Sequence, residues 1–473
     1  MVQLGCRPWN LSLVSVIVLG LTNMLLTFLL LQSESCGRYR FLVASAPEDR
    51  TPPAAIGRPV AKQPCPEDTT STDATGQEGE EDEGDTYGGE QLLQKLDVRL
   101  GRWDSRRLLQ AFDAALVGTQ FAELSSRARV CLATQSSLEK LGSLVQVVHQ
   151  WTGPLSVALY AAGDEEFDLL QRYLAYLRRC YEPIRQRVNF SLAVPRGRPL
   201  LLRGSGEQRQ GPQDSLDCRR PEGTLAELVR RLSAEQLSWR SRNPYPQNHM
   251  RNLARKNCQS EYVFLTDVDI VPSTNLSRQL EDFLAQPEQS RCERCAYVVP
   301  TYELDARVRF PQNKTELARL ARKGLARPFH QKVFIHNQFA TNFTRWMLDV
   351  GPGHASHENV RTGRAYVSHE VTNFEFLYEP FYVARDVAPP HDERFMGYGY
   401  TRNTQVYEMY VAGYKFKVLS PTFTVHWGLQ TRKSRPAWRE RQNSLNRKHF
   451  EVFKKEVFAR YTRDPLKMLK SHN

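Results

Sequence analysis

Tyr262-Val-Phe-Leu-Thr-Asp-Val-Asp269 begins as an uninterrupted apolar run and turns acidic at its end. The apolar part has the length and composition of a buried strand. In an α/β sheet, ligands bind outside the carboxyl ends of the strands, where these two acids stand. Side chains alternate faces along extended chain, so Asp267 and Asp269 point one way and Val268 the other. Two such carboxylates repel each other unless a cation or basic neighbours offset them. An oxygen-rich pair suits Mg²⁺ or Mn²⁺, and an ion held there would stabilise a departing diphosphate. An Asp-x-Asp by itself also occurs as a solvated turn; the strand beneath it separates the two readings.

Toward the N-terminus, Val130 to Thr134, Leu155 to Tyr160 and Val188 to Val194 read as further buried strands. Helices are expected from about Ser137 to Trp151 and from Glu165 to Cys180. This alternation predicts α/β units and a largely parallel sheet. Leu92-Leu93 and Leu108-Leu109 read as helical surfaces, and Pro199 to Cys218 as a polar loop. Thr224-Leu-Ala-Glu227 has the pattern of a capping box opening one helix toward Trp239. A helix over Asn248 to Lys256 leads into the acidic strand and carries Arg251 and Asn252. That pair suits phosphate or base contact unless it belongs to a solvated face.

Downstream, Ser273 is placed to cap a helix containing Leu276, Leu280 and Phe283. Tyr414 to Leu419 reads as a late strand, followed by His426, a candidate third metal ligand. A lone His is more often structural than ligating. Phe450, Phe453 and Val457 recur at helical spacing among Lys and Arg, as in an amphipathic packing helix. Cys292-Glu-Arg-Cys295 has redox or zinc spacing but no second pair, so disulfides to other cysteines are expected. His354-Ala-Ser-His357 lacks the Glu and helical context of a zinc protease.

No charged residue occurs from Pro8 to Ser33. The stretch 11–31 supplies the roughly 20 apolar residues that a spanning helix needs. A cleaved signal would have an apolar core of about 7–15 residues and a small-residue cleavage site, which Leu29-Leu-Leu-Gln32 does not offer. A transmembrane signal anchor at 11–31 is expected, with a cytosolic tail at 1–10. Residues 32–89 are rich in Pro, Gly, Ser, Thr and acid, including Glu78 to Asp85, and read as a disordered luminal stem. The catalytic body is expected over 90–473. Four sequons (Asn189, Asn275, Asn313 and Asn342) and eight of nine cysteines after the anchor fit an oxidising lumen and type II topology. The net charge of +12 suits an anionic small substrate. No zinc-finger spacing, RNP-type motif or basic heptad helix occurs, so nucleic acid is not an expected partner.

Asn243-Pro-Tyr-Pro-Gln-Asn248, Arg251-Asn-Leu-Ala-Arg255 and Leu265-Thr-Asp-Val-Asp-Ile-Val-Pro272 together resemble the LARGE-like glucuronyltransferases. The likeness continues in Tyr297-Val-Val-Pro300, Pro311-Gln-Asn-Lys-Thr-Glu-Leu317, Thr341-Asn-Phe-Thr-Arg-Trp346, Glu379-Pro-Phe-Tyr-Val383 and Asp392-Glu-Arg-Phe395. With Tyr398-Gly399 and Val425-His426 it spans roughly 130–461. The resemblance implies a GT-A fold, a Rossmann-like mixed sheet flanked by helices, behind the anchor and stem. It implies Mn²⁺ dependence, with Mg²⁺ as a substitute, and inverting β-1,4 transfer of glucuronic acid from UDP-glucuronate. The implied acceptor is a xylose-terminated O-mannosyl glycan on a glycoprotein. The implied setting is the Golgi membrane, catalytic domain luminal, beside other glycosyltransferases.

Carried over by position, Asp267, Asp269 and His426 become the metal ligands. Thr134, Arg251, Asn252 and Arg402 become donor-site residues, Arg402 facing the donor's carboxylate. Glu379, Tyr382 and Tyr398 are assigned to the acceptor. Inversion requires a base to take the acceptor's hydroxyl proton. Asp392 is expected in that role, with Glu393 and Glu408 as alternatives, against a structural pairing with Arg394 or Arg402. Where a close family member reads His-Lys-Gly-Phe-Lys, this chain has His426-Trp-Gly-Leu-Gln430, without two lysines suited to diphosphate. An N-acetylglucosaminyl donor, another linkage, or a catalytically silent Golgi partner are the alternatives, and metal-dependent hydrolysis of a UDP-sugar separates the last from the enzymes.

Overall fold

The computed structural model describes residues 96–201, 217–351, 363–431 and 436–469, all within one compact unit, Glu83–Asn473. The expected anchor and stem, Leu92-Leu93, His354–His357 and most of the Pro199–Cys218 loop lie outside the described residues. Among those described, no helix is long and apolar enough to cross a membrane.

The strands are β1 (Arg102–Trp103), β2 (Leu109–Leu116), β3 (Val130–Ser137), β4 (Leu155–Tyr160), β5 (Val188–Pro195), β6 (Tyr262–Leu265) and β7 (Ile270–Pro272). They continue as β8 (Cys295–Val298), β9 (Thr301–Leu304), β10 (Ala326–Pro328), β11 (Tyr366–Glu370), β12 (Tyr382–Arg385), β13 (Lys415–Ser420) and β14 (Thr424–Trp427). A ten-stranded sheet has the order β1-β2-β5-β4-β3-β6-β12-β8-β13-β11. Its centre, β5-β4-β3-β6, is parallel and buried along its length, as the near-continuous apolar runs require. The expectation of a largely parallel sheet holds only for that centre. Beyond it β12 runs antiparallel between β6 and β8, and β2 runs antiparallel to β5, so the sheet is mixed.

The topology fixes where a ligand can sit. The chain steps outward from β3 through β4 to β5, then returns so that β6 lies on the other side of β3. That reversal opens a crevice at the carboxyl ends of β3 and β6, directly at the Asp-x-Asp. A smaller sheet, β10-β9-β14-β7, stands beside it and sets His426 in register with Ile270, one residue past Asp269.

Several local expectations change. Leu108-Leu109 is not a helical surface; Leu109 opens β2, which pairs antiparallel with β5 and buries Leu109 and Phe112. The first expected helix is a 3-10 segment, Leu138–Ser143, before an α-helix, Leu144–Gln150. Gly142, a poor helix former, lies in that tighter turn. The expected Thr224 helix is two helices, Pro221–Val229 and Ala234–Arg242. Thr224 returns its hydroxyl to the Arg220 carbonyl, while Ser233 caps the second helix by accepting from the Gln236 amide. Asn275, not Ser273, precedes the Leu276–Leu284 helix; the Ser273 hydroxyl instead accepts from the Phe423 amide.

Disulfides join Cys131 to Cys258 and Cys180 to Cys218. Cys292 pairs with Cys295, not with more distant cysteines. The C-terminal helix Ala437–Tyr461 buries Phe450, Phe453 and Val457 against Phe395 and Tyr407, the packing role expected of it.

Candidate active site

The crevice between β3 and β6 is a cleft of about 550 Å³. Its floor is Gln135, Ser136 and Ser137 from the end of β3, with Asp267, Val268 and Asp269 from the turn between β6 and β7, not from extended chain as expected. Lys140, Arg240, Arg251 and Arg439 supply positive walls, and Tyr245, Tyr398 and Trp438 aromatic ones. A second compartment of about 1320 Å³ adjoins it, lined by Gln331–His336, His426, Trp427 and Gln430. Lys140, Asp269, Tyr398 and Arg439 line both compartments, so Asp269 stands on their boundary.

The two acids of the motif have different surroundings. Asp267 Oδ1 accepts from Arg402 Nη2 at 2.7 Å and from Arg251 Nη2 at 3.3 Å. Burial works to raise the Asp267 pKa, but Arg402 and then Arg251 outweigh it and hold the carboxyl below its ordinary range. Arg251 comes from the Gln247–Lys256 helix, steadied by Asn248 Oδ1 at 3.1 Å, and burial lowers its own pKa. Arg402 opens the Arg402–Val411 helix, lies over the Phe381 ring at 4.3 Å and donates to the Leu265 carbonyl. Asp269, equally half-buried, has other neighbours: it lies 3.7 Å from His426 Nε2 and 3.8 Å from Lys140 Nζ. The Asp269 carboxylate and the His426 imidazole form an O/N donor pair close enough to share one divalent ion. Asp267 is engaged by Arg402 and Arg251, and the three expected ligands are not gathered within 4.8 Å of one another. His426 is backed by the Phe329 ring at 5.4 Å and by Gln430 Nε2 at 3.4 Å.

Of the other residues singled out in the sequence, Arg251 and Tyr398 line the cleft. Thr134 is wholly buried in β3, its hydroxyl without a partner. Arg402 is committed to Asp267, so its guanidinium is not presented to a donor carboxylate. Asn252 turns away, donating to the His391 carbonyl at 2.8 Å and to Glu393 Oε1 at 3.0 Å. Tyr382 is buried with its hydroxyl on Gln405 at 2.6 Å. Glu379 is half-buried, accepts from Asn337 Nδ2 at 2.7 Å, and is raised in pKa by burial despite Arg402 and Arg251.

The three acids expected as the base do not line either compartment. Asp392 Oδ1 accepts from both the amide and Nε of Arg394. Glu408 is buried against Arg460 and Tyr461, and burial raises its pKa. Glu393 faces His249 on a separate surface. The sequence reading missed Lys140, Arg240 and Arg439. Arg240 is the most constrained of them, lying 4.8 Å from the Tyr160 ring and paired with the buried Glu166. Among the described residues, the group of three metal-ligating side chains within 4.8 Å of one another is Asp104, His249 and Glu393.

Of the four sequons, Asn189 lies inside β5, 2% exposed, with its amide on the Asn257 carbonyl. It is closed to modification in the folded protein. Asn275, Asn313 and Asn342 are exposed.

Residues 129–462 match the family described as glycosyl-transferase for dystroglycan. Beta-1,4-glucuronyltransferase 1 of Homo sapiens is 33% identical over 339 residues, covering 71% of this chain and 77% of the relative. The Mus musculus protein of that name matches at the same identity and coverage. Xylosyl- and glucuronyltransferase LARGE2s of Danio rerio is 25% identical over 341 residues, covering 71% of this chain and 37% of the relative.

Proposed function

The chain belongs to the family of glycosyltransferases for dystroglycan, and from that premise we propose an inverting, β-1,4 transfer of glucuronic acid from UDP-glucuronate to a xylose-terminated O-mannosyl glycan. The observation that carries the proposal is the position of Asp269, on the wall shared by a basic cleft and a second, larger compartment. In a GT-A arrangement the nucleotide diphosphate occupies the first and the acceptor glycan the second, so the bond to be broken lies at their boundary.

Lys140 and Arg439 offset the charge of the diphosphate in the cleft, a task that Trp427 to Gln430 do not share. Asp269 and His426 would hold Mn²⁺, or Mg²⁺ in its place, with Asp267 in support; the ion supplies Lewis-acid stabilisation of the leaving diphosphate. Tyr398, Trp427 and Trp438 offer aromatic faces to sugar rings. The base is Glu379 in this account: like the other three acids it lines neither compartment, but it is held by Asn337, the residue after the Gln331–His336 wall. Its raised pKa suits proton abstraction, and the acids first expected there are engaged elsewhere.

The proposed setting is the Golgi membrane, single-pass and type II, with the body luminal and glycans on Asn275, Asn313 and Asn342. Three disulfides support an oxidising compartment. The test is a screen of UDP-sugars and β-xylosides with the purified full chain and Mn²⁺. Transfer of glucuronic acid is expected; transfer of another sugar would change the donor, and neither transfer nor UDP-sugar hydrolysis would refute the enzymatic reading.

A further inference from the structure

We propose that Asp104, His249 and Glu393 form a second divalent-cation site, outside the cleft and sharing no lining residue with it. The argument starts from His249, on the Gln247–Lys256 helix and only 6% exposed. Neither of its ring nitrogens has a hydrogen-bond partner. A neutral imidazole carries one N–H and one lone pair, so Nδ1 is left buried without a partner and Nε2 has only two carboxylates just beyond hydrogen-bond range, which native proteins rarely tolerate.

What His249 faces is a pair of carboxylates. Its Nε2 is 3.6 Å from Asp104 Oδ2 and 3.5 Å from Glu393 Oε2. Two ligands of one tetrahedral ion with bonds of about 2.0–2.1 Å stand roughly 3.3–3.4 Å apart, so small adjustments would seat an ion among the three.

The carboxylates are already oriented from behind. Asp104 Oδ1 accepts from the Leu108 and Leu109 amides, and Oδ2 from the Arg106 amide. Glu393 Oε1 accepts from Asn252 Nδ2, leaving Oε2 toward the imidazole. Such outer contacts fix ligand geometry at metal centres. The cations lining the same 310 Å³ recess are paired with other acids, Arg102 and Lys256 with Asp113 and Arg255 with Asp386. One imidazole and two carboxylates, without sulfur, suit Zn²⁺ or Mn²⁺, and the recess leaves room for water at the open positions.

An ion there ties three distant segments together: the turn between β1 and β2, the helix that carries Arg251, and the loop leading to Gly397-Tyr398. Two walls of the cleft are thereby clamped from outside, and the role is positioning.

The test uses the full chain in detergent, stripped by chelation and free of nucleotide, in an Asp269→Asn background that weakens the cleft as a competing site. Zn²⁺ and Mn²⁺ are titrated separately, with bound metal counted after gel filtration and the melting temperature recorded. We expect one equivalent and a rise in melting temperature, with affinity at least 100-fold weaker after adding Glu393→Gln or Asp104→Asn. Co²⁺ gives a readout without those added substitutions: its absorption should appear in the Asp269→Asn protein and vanish with one equivalent of Zn²⁺. Failure of the Asp269→Asn protein to bind any of these ions, or binding unchanged by both added substitutions, would overturn the site and leave His249 as an ion-pair partner of the two acids.

Discussion

Arg402 Nη2 lies 2.7 Å from Asp267 Oδ1, joining residues 135 positions apart in the chain. The guanidinium is 5% exposed and the carboxylate 33%, so the pair spans the edge between core and cleft. Removing one member of a buried pair costs about 3–5 kcal/mol. Partial exposure of Asp267 reduces this, and Arg402→Met should destabilise by roughly 2–4 kcal/mol. Urea unfolding measures it; a loss below about 0.5 kcal/mol, the size of ordinary surface changes, would contradict the structural role.

Glu379 is assigned as base on its raised pKa and its hydrogen bond to Asn337, the residue after the Gln331–His336 wall of the second compartment. Glu379→Gln should lower kcat by about 10²–10⁴-fold while UDP binding persists. A base must be deprotonated, so the acid limb of the rate profile should lie above the ordinary carboxylate range and disappear in the variant. Near-normal turnover would return the role to another acid.

Much of the centre was readable from sequence. Val130, Leu155, Val188 and Tyr262 each open a bounded apolar run, and each opens a central strand. Four-residue strands such as Cys295–Val298 and Tyr382–Arg385 were not identified, because so short a run carries no period. Leu108-Leu109 reads as a helical surface because an adjacent apolar pair carries no period, whereas β2 is defined by its pairing with β5 and β1. At the site, Asp267 and Asp269 were legible because they directly follow the apolar run of β6, although they lie in the turn before β7 rather than on extended chain. The commitment of Arg402 to Asp267 was not, since only the packed sheet brings them together. Asp392 sits two residues from the arginine that occupies it, a local cue that the resemblance outweighed.

Lys314 tests the charge balance away from the site. Burial lowers its pKa to about 8, and its ammonium has the Asp349 carbonyl, the Ser420 hydroxyl and the Trp346 ring as neighbours. In the unfolded chain the same amine titrates near 10.4. Between these values the unfolded state binds more protons, so this group's contribution to stability increases as pH rises. The stability of wild type relative to Lys314→Met should therefore grow between about pH 8 and 10. A difference that stays flat or shrinks would contradict the depressed pKa.

Glycosylation separates the buried sequon from the exposed ones. Expressed in a eukaryotic secretory pathway, Asn275→Gln, Asn313→Gln and Asn342→Gln should each remove one glycan-sized step on a gel. Asn189→Gln should remove none, because Asn189 is buried in β5. A mobility step lost with Asn189 would mean modification before folding.

The most direct measurement is glucuronic acid transfer from UDP-glucuronate to a β-xyloside by the full chain with Mn²⁺, compared with Asp269→Asn. Wild type should form the β-linked product. The variant should lose at least about 10²-fold in kcat, the scale of removing one electrostatic stabiliser of a transition state, while keeping its melting temperature. Equal turnover in both proteins would contradict the place given to Asp269 on the boundary between donor and acceptor.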